Sequence, residues 1–151
     1  MPFPLPDNAV RTIPHLHTLW YDFNYYTHLA MIYRPSPLCP TPDPAGLKIL
    51  GNAASMSLRQ AYEMHQQRRF AYNWLNFLAI FTSTLSLVYA ITAQPDKLPL
   101  ALQQSAAIDD LELSIQLFEA FGIKFAAARN IRRMITEISR QYKEIRDNKD
   151  V

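Results

Sequence analysis

Few side chains able to move protons, hold metals or attack a substrate stand close together in this chain. His15 and His17 are two residues apart, which on a helix points them to nearly opposite sides, so they make no metal pair. His28 and His65 each stand alone on their stretch, where the ordinary role is a half-buried polar group. Asp22, Tyr25, Tyr26 and His28 share one short segment. They are the candidate catalytic residues, because carboxylate, phenol and imidazole together span general acid and base work. Asp109-Asp110-Leu111-Glu112 has the outline of an aspartate-rich magnesium motif. Such a motif needs a further acid one turn on, and Leu113 and Ser114 stand there instead. A second acidic cluster is also missing, so these acids are expected on a solvated helix face. The single Cys39 excludes an intramolecular disulfide and a multi-cysteine zinc site, and it fits a reducing compartment. There is no glycine-rich phosphate loop and no nucleophile motif. The expectation is no metal and no cofactor.

The elements that must carry these residues are helices. Apolar residues make up 49% of the 151 and charged ones 19%, which is enough for one domain with a real core and excludes a disordered tail. A net charge of +2 points to no polyanionic partner by itself. Most of the 11 prolines precede residue 45, so irregular chain is expected in front and long regular elements behind. Residues 1–14 are a proline-rich N-terminal segment without the charged and apolar pattern of a secretory signal. Residues 15–147 read as one α-helical domain and 148–151 as a tail.

Five helices are predicted, over about 15–33, 45–69, 73–93, 99–121 and 123–147. The first carries two apolar stripes, Leu16, Leu19, Trp20, Phe23, Thr27 and Ala30 on one side and Tyr21, Tyr25, Leu29 and Ile32 on another, which predicts burial on two faces. Pro35 cannot continue it, and Arg34 meets the negative end of its dipole. Asp43 and Pro44 suit a cap and first-turn proline for the second, and Gly122 suits a C-terminal cap for the fourth. The fifth is expected to bury Ala127, Ile131, Met134, Ile138, Tyr142 and Ile145. No stretch alternates as a half-buried strand would. The predicted fold class is all-α, a bundle of about five helices with no sheet.

The third helix has no charge from Phe70 to Gln94, long enough to cross a bilayer. Its hydroxyls, Thr82, Ser83, Thr84, Ser86 and Thr92, suit close packing against other helices, and the buried-core reading is preferred over the membrane-spanning one. Trp74 at its start is expected to be buried, so that Trp74→Ala costs about 3–5 kcal/mol. On the fifth helix Glu137, Glu144 and Asp147 interrupt the basic residues, so no direct sequence-specific DNA binding is expected. Trp20, Tyr21, Trp74, Phe77, Phe81 and Tyr89, with Tyr25 and Tyr26, form an aromatic set that could line a pocket for an apolar small molecule, or simply fill the core.

Tyr33-Arg34-Pro35-Ser36, at the end of an aromatic helix, resembles the Leu-Tyr-Arg-Pro-Ser signature of the fungal-specific transcription factor domain. That domain is the middle homology region of zinc-cluster transcription factors. Asn52-Ala53-Ala54 resembles the family's Cys-x-x-Ala-Ala segment, with the cysteine replaced. Trp74 through Phe81 to Tyr89 resembles its Trp-led core helix ending in Leu-Tyr. Leu111 and Leu113, followed by Phe125-Ala126-Ala127-Ala128-Arg129, resemble its last helix pair, with Phe125 where the family usually has Trp. The resemblance covers about residues 15–146 and is to the C-terminal half of the family domain. It implies an all-α regulatory domain in which Arg34 anchors a structural turn.

The departures shape the functional expectation. A chain with one cysteine has no six-cysteine zinc cluster. The resemblance implies a transcription-regulatory domain, a fragment or a truncated paralogue, acting in the nucleus (or the cytoplasm) through protein contacts or a small effector. The alternative is a stand-alone enzyme or small-molecule carrier of fungal secondary metabolism, of isomerase or cyclase type. With two helices apolar on more than one face, an exposed apolar patch of several hundred Å² is expected. A homodimer, another protein, or the missing N-terminal half of the domain would cover it.

Overall fold

Six α-helices follow one another through residues 18–148, the residues that the computed structural model describes. They are α1 (Thr18–Tyr33), α2 (Pro44–Gln66), α3 (Trp74–Thr92), α4 (Leu98–Gln104), α5 (Ala107–Phe121) and α6 (Ala126–Asp147). A single 3-10 turn, Pro95–Lys97, joins α3 to α4. Among the described residues there is no strand, only an isolated bridge between Ser36 and Cys39. The fold is all-α. The proline-rich segment, His15, Leu16 and His17, and residues 149–151 lie outside the described residues.

Local chemistry sets several of the ends. Asp43 caps α2 by accepting the Gly46 N–H at 2.7 Å, with Pro44 in the first turn. Asn73 caps α3 in the same way through the Asn76 N–H at 2.9 Å. At the end of α2, Arg68 adopts a left-handed φ of 57°, the conformation glycine usually supplies. The Arg69 N–H then returns to the Met64 carbonyl at 2.8 Å and satisfies one of the orphan groups of the last turn.

Helix α2 lies at the centre, with α1 and α3 against it and α5 against both α2 and α3. Helix α6 covers α5, and the short α4 touches α3 and α6. The core holds Phe23 of α1, Leu58 and Met64 of α2, Phe77 and Ile80 of α3, and Leu111, Phe118 and Phe121 of α5, all buried. A seam of hydroxyls runs between the first three helices. Thr27 bonds Ser57 at 2.9 Å, and Ser57 bonds Ser83 at 3.0 Å. Thr84, also buried, donates to the Ile80 carbonyl of its own helix at 2.7 Å. Of the α3 hydroxyls, Ser83 thus meets a neighbouring helix at close range and Thr84 is satisfied within its own. By length and composition α3 would suit a membrane, with a mean hydropathy of 1.6, and 39% of it is buried inside the fold.

Five details differ from the sequence expectations. The predicted fourth helix is two helices, α4 and α5, broken at Ser105 and Ala106. Ser105 turns extended there, and its hydroxyl accepts from the Ala107 N–H at 3.4 Å. Trp74 is 50% exposed, because in the first turn of α3 only one side of its ring finds partners, Phe77 and Phe125. Its truncation therefore costs less than that of a buried indole. On α6 the buried face is centred on Ala128, Ile135, Ser139 and Tyr142, leaving Ala127 and Met134 exposed. Periodicity alone tolerates this one-position rotation, and contact with α5 decides it. Gly122 has a right-handed φ of −64°. A Cβ there would lie 2.9 Å from Arg129 Cγ, so close approach explains the glycine. Arg34 is exposed, and the Arg-Pro-Ser turn is held by backbone bonds between Ser36 and Cys39 at 3.0 and 3.1 Å.

Candidate interaction surface

Helix α1 buries only one of its two apolar stripes. Phe23, Thr27 and Ala30 are buried against α2 and α3. On the opposite side Tyr21 is 53%, Tyr25 62% and Ile32 74% exposed, and Met31 is exposed too. Tyr21, Tyr25, His28 and Ile32 recur at i, i+4, i+7 and i+11, one continuous line on the helix surface. They line a shallow groove of about 320 Å³ together with Asn24 and Leu29. The expectation that this stripe would be buried within the chain is corrected. Helix α2 is the main partner of α1, and it occupies the other side.

Tyr25 and His28 both face that groove, and the His28 ring nitrogen Nδ1 lies 2.6 Å from the Asn24 carbonyl of the preceding turn. Tyr26 lines a different groove, between α1 and α2, beside Asn52 and Arg59, although its ring meets Tyr25 edge to face at 5.0 Å. Asp22 is half-buried beside Phe23 and lines neither groove. The four candidate catalytic residues are therefore neighbours on α1 that do not converge on one space.

The proposed aromatic pocket is also redistributed. Trp74, Phe77 and Phe81 join a ring cluster with Phe118, Phe121 and Phe125, whose centroids lie 5.0–6.4 Å apart. Trp20 and Tyr21 pair edge to face at 5.4 Å on α1. Tyr89 packs near Leu50, Ala30 and Ala53 in a separate small cluster. The six rings lie in three places among the described residues.

One pair was missed in the sequence. Asp110, expected on a solvated face, is 2% exposed. Arg59 Nε donates to one of its oxygens at 2.8 Å and Nη2 to the other at 3.3 Å, and the Ser55 hydroxyl donates as well. The Asp110 hydrogen bond holds the Arg59 guanidinium still more firmly protonated than usual, against the effect of burial. Arg59 and Asp110 are 51 positions apart, so only the docking of α5 on α2 pairs them. Glu112, two residues on, turns to α6, where it accepts from Ser139 at 2.9 Å and Lys143 at 2.6 Å. The Lys143 hydrogen bond holds the Glu112 carboxyl below its usual range. The acids of the motif thus point to different helices, and among the described residues no cluster fit for a metal forms.

The basic residues of α6 are largely paired. Arg140 binds Glu137 at 2.6 Å and also binds Glu144; Arg132 lies 3.7 Å from Glu119. Arg129 donates to the Gly122 carbonyl at 2.6 Å.

Compared with known proteins, the chain is 23% identical over 132 residues to the negative regulator of pleiotropic drug resistance STB5 of Candida glabrata. The alignment takes in 83% of this chain and 12% of that protein, so the chain spans about an eighth of its relative's length. No family model matches the chain, and no solved structure matches it. The chain is distantly homologous to a fungal regulator.

Proposed function

We propose that this chain is a transcription-regulatory module of the fungal zinc-cluster factor type. It works in the nucleus through contact with protein, and it makes no sequence-specific contact with DNA. The observation that carries the reading is the likeness to the Candida glabrata regulator across 83% of the chain. The order of the Tyr-Arg-Pro-Ser turn, the Asn52-Ala53-Ala54 segment and the Trp74 helix agrees with it. The paired arginines of α6 support the absence of a DNA-reading face, since groups already bound to carboxylates release few counterions on a phosphate backbone. The bare stripe of α1 is the contact surface, and a second copy of the chain is the simplest cover, because a symmetric dimer buries one patch against itself.

A reporter assay tests the regulatory reading. The chain fused to an unrelated DNA-binding domain changes reporter output in a fungal host, and the double variant Tyr25→Lys, Ile32→Lys loses the change. An unaltered reporter with the folded parent chain would sink the proposal. Light scattering coupled to size exclusion tests the cover. A dimer of the parent that becomes a monomer in the double variant is expected. A parent that is monomeric at micromolar concentration and binds no hydrophobic dye removes the dimer.

A further inference from the structure

Lys48, Asn52, Ser55 and Arg59 recur at i, i+4, i+7 and i+11 along α2, a line of polar side chains about 16 Å long on one side of the helix. They form one wall of an open cleft of about 480 Å³. Leu87, Ala90 and Ile91 of α3 supply an apolar floor. The far wall is the break between α4 and α5, where Gln104 ends α4 and Ser105 and Ala106 leave the helical path. This cleft is separate from the Tyr21–Ile32 groove on α1 and from the aromatic cluster, and it shares Asn52, Ser55 and Arg59 with the groove beside Tyr26.

Charge is distributed unevenly along the polar wall. At one end Arg59 is neutralised by the buried Asp110, and the Ser55 hydroxyl donates a hydrogen bond to the same carboxylate. Asp109 adds a further negative charge near Arg59. At the other end Lys48 is exposed and makes no ion pair among the described residues. Asn52, one turn on, also has no hydrogen-bond partner there, and its amide has two protons to donate. The cleft thus offers a cation and an amide donor at one end, an acid-screened end opposite, and an apolar floor between.

We propose that this cleft binds a small amphipathic organic anion, a medium-chain or aryl carboxylate. Its acid group meets Lys48 and Asn52, and its apolar body lies on Leu87, Ala90 and Ile91. The volume is in the range of small-molecule sites, and a mixed wall with a few placed polar groups fixes orientation while the floor supplies burial. The two acids beside Arg59 repel the reversed pose. The inference stands on the cleft's own geometry and goes beyond the regulatory reading. It is tested by binding alone, so its failure and the failure of that reading are separate results.

Isothermal titration of the full chain with decanoate, and with decanol as the uncharged match, is the test. Lys48 and Ala106 are both exposed, so Lys48→Glu and Ala106→Trp keep the fold, which circular dichroism verifies. Decanoate is expected to bind the parent, and decanol to bind at least about tenfold more weakly. Lys48→Glu is expected to weaken decanoate by a similar factor, and Ala106→Trp to abolish its binding by filling the far wall. Equal affinity for decanol overturns the proposal. So does decanoate binding that neither variant changes, which would place the ligand elsewhere, on the bare face of α1. Absence of binding at millimolar decanoate overturns it as well.

Discussion

Helices α1 and α6 each turn one face to the core, and their outer faces are finished in different ways. The outside of α6 is clad in ion pairs, Arg140 with Glu137 and Glu144, and Lys143 reaching across to Glu112 on α5. The outside of α1 presents Tyr21, Tyr25, Met31 and Ile32 to solvent. Water solvates the first surface at little cost. The second leaves apolar area exposed that association would remove from water, with a gain that scales with that area. Two amphipathic-looking stretches therefore teach different things. The charged one is already satisfied by its own ion pairs, and the apolar one is the face on which we propose that a partner docks.

The contrast is broken most easily on the inner faces. Phe23→Ala on α1 is expected to cost about 3–5 kcal/mol and Ile135→Ala on α6 about 2–5 kcal/mol, since both side chains are fully buried. Urea titration measures both. A loss below about 1 kcal/mol at Phe23 would mean that α1 is not docked on the core through this face.

The outer face of α1 gives the next effect, and it is read in association. Tyr25→Ala is expected to leave monomer stability within about 1 kcal/mol while weakening self-association. Sedimentation velocity over a concentration series measures it. If Tyr25→Ala destabilises as much as Phe23→Ala, the chain itself covers that face and the comparison fails.

A smaller effect concerns the α5–α6 seam. The Lys143 hydrogen bond, with that from Ser139, holds Glu112 below the ordinary carboxylate range despite partial burial. A lowered value means that the contribution is present above the unfolded-state pKa, about 4.3, and is lost as pH falls through the folded value. The parent is therefore expected to exceed Glu112→Gln in melting temperature at neutral pH, and the gap is expected to close in acid. A gap independent of pH would assign the difference to packing.

The smallest effect is expected on the outside of α6. Arg140→Ala removes an exposed pair whose attraction is screened by solvent, and the melting temperature is expected to stay that of the parent. A clear drop in low salt that vanishes in high salt would show the charge network acting as a unit and would sharpen the contrast with α1.

Much of the fold was legible locally. Asp43-Pro44 and Asn73 mark helix starts through short-range hydrogen bonds, and the inner stripe of α1 follows from a 3.6-residue period. The all-α class was legible for the same reason, because it depends on residues within a turn or two of each other. The distant similarity to a fungal regulator also travels with the sequence.

The site was less legible. Periodicity says that a helix has an apolar face, and it is silent on which partner takes it when two faces qualify, as on α1. It does not separate Met134 from Ile135 as the inward residue of α6. It gives Asp110 the look of a surface acid, because nothing near it in sequence is its partner. The break at Ser105 was open to notice, since serine favours a helix start, but its consequence was not. Only when α5 docks on α2 does the break become one wall of a cleft, and only then do Arg59 and Asp110 meet across 51 positions. Those outcomes depend on distances between helices, which local hydrogen bonding and hydrophobic period do not encode, and tertiary packing alone decided them.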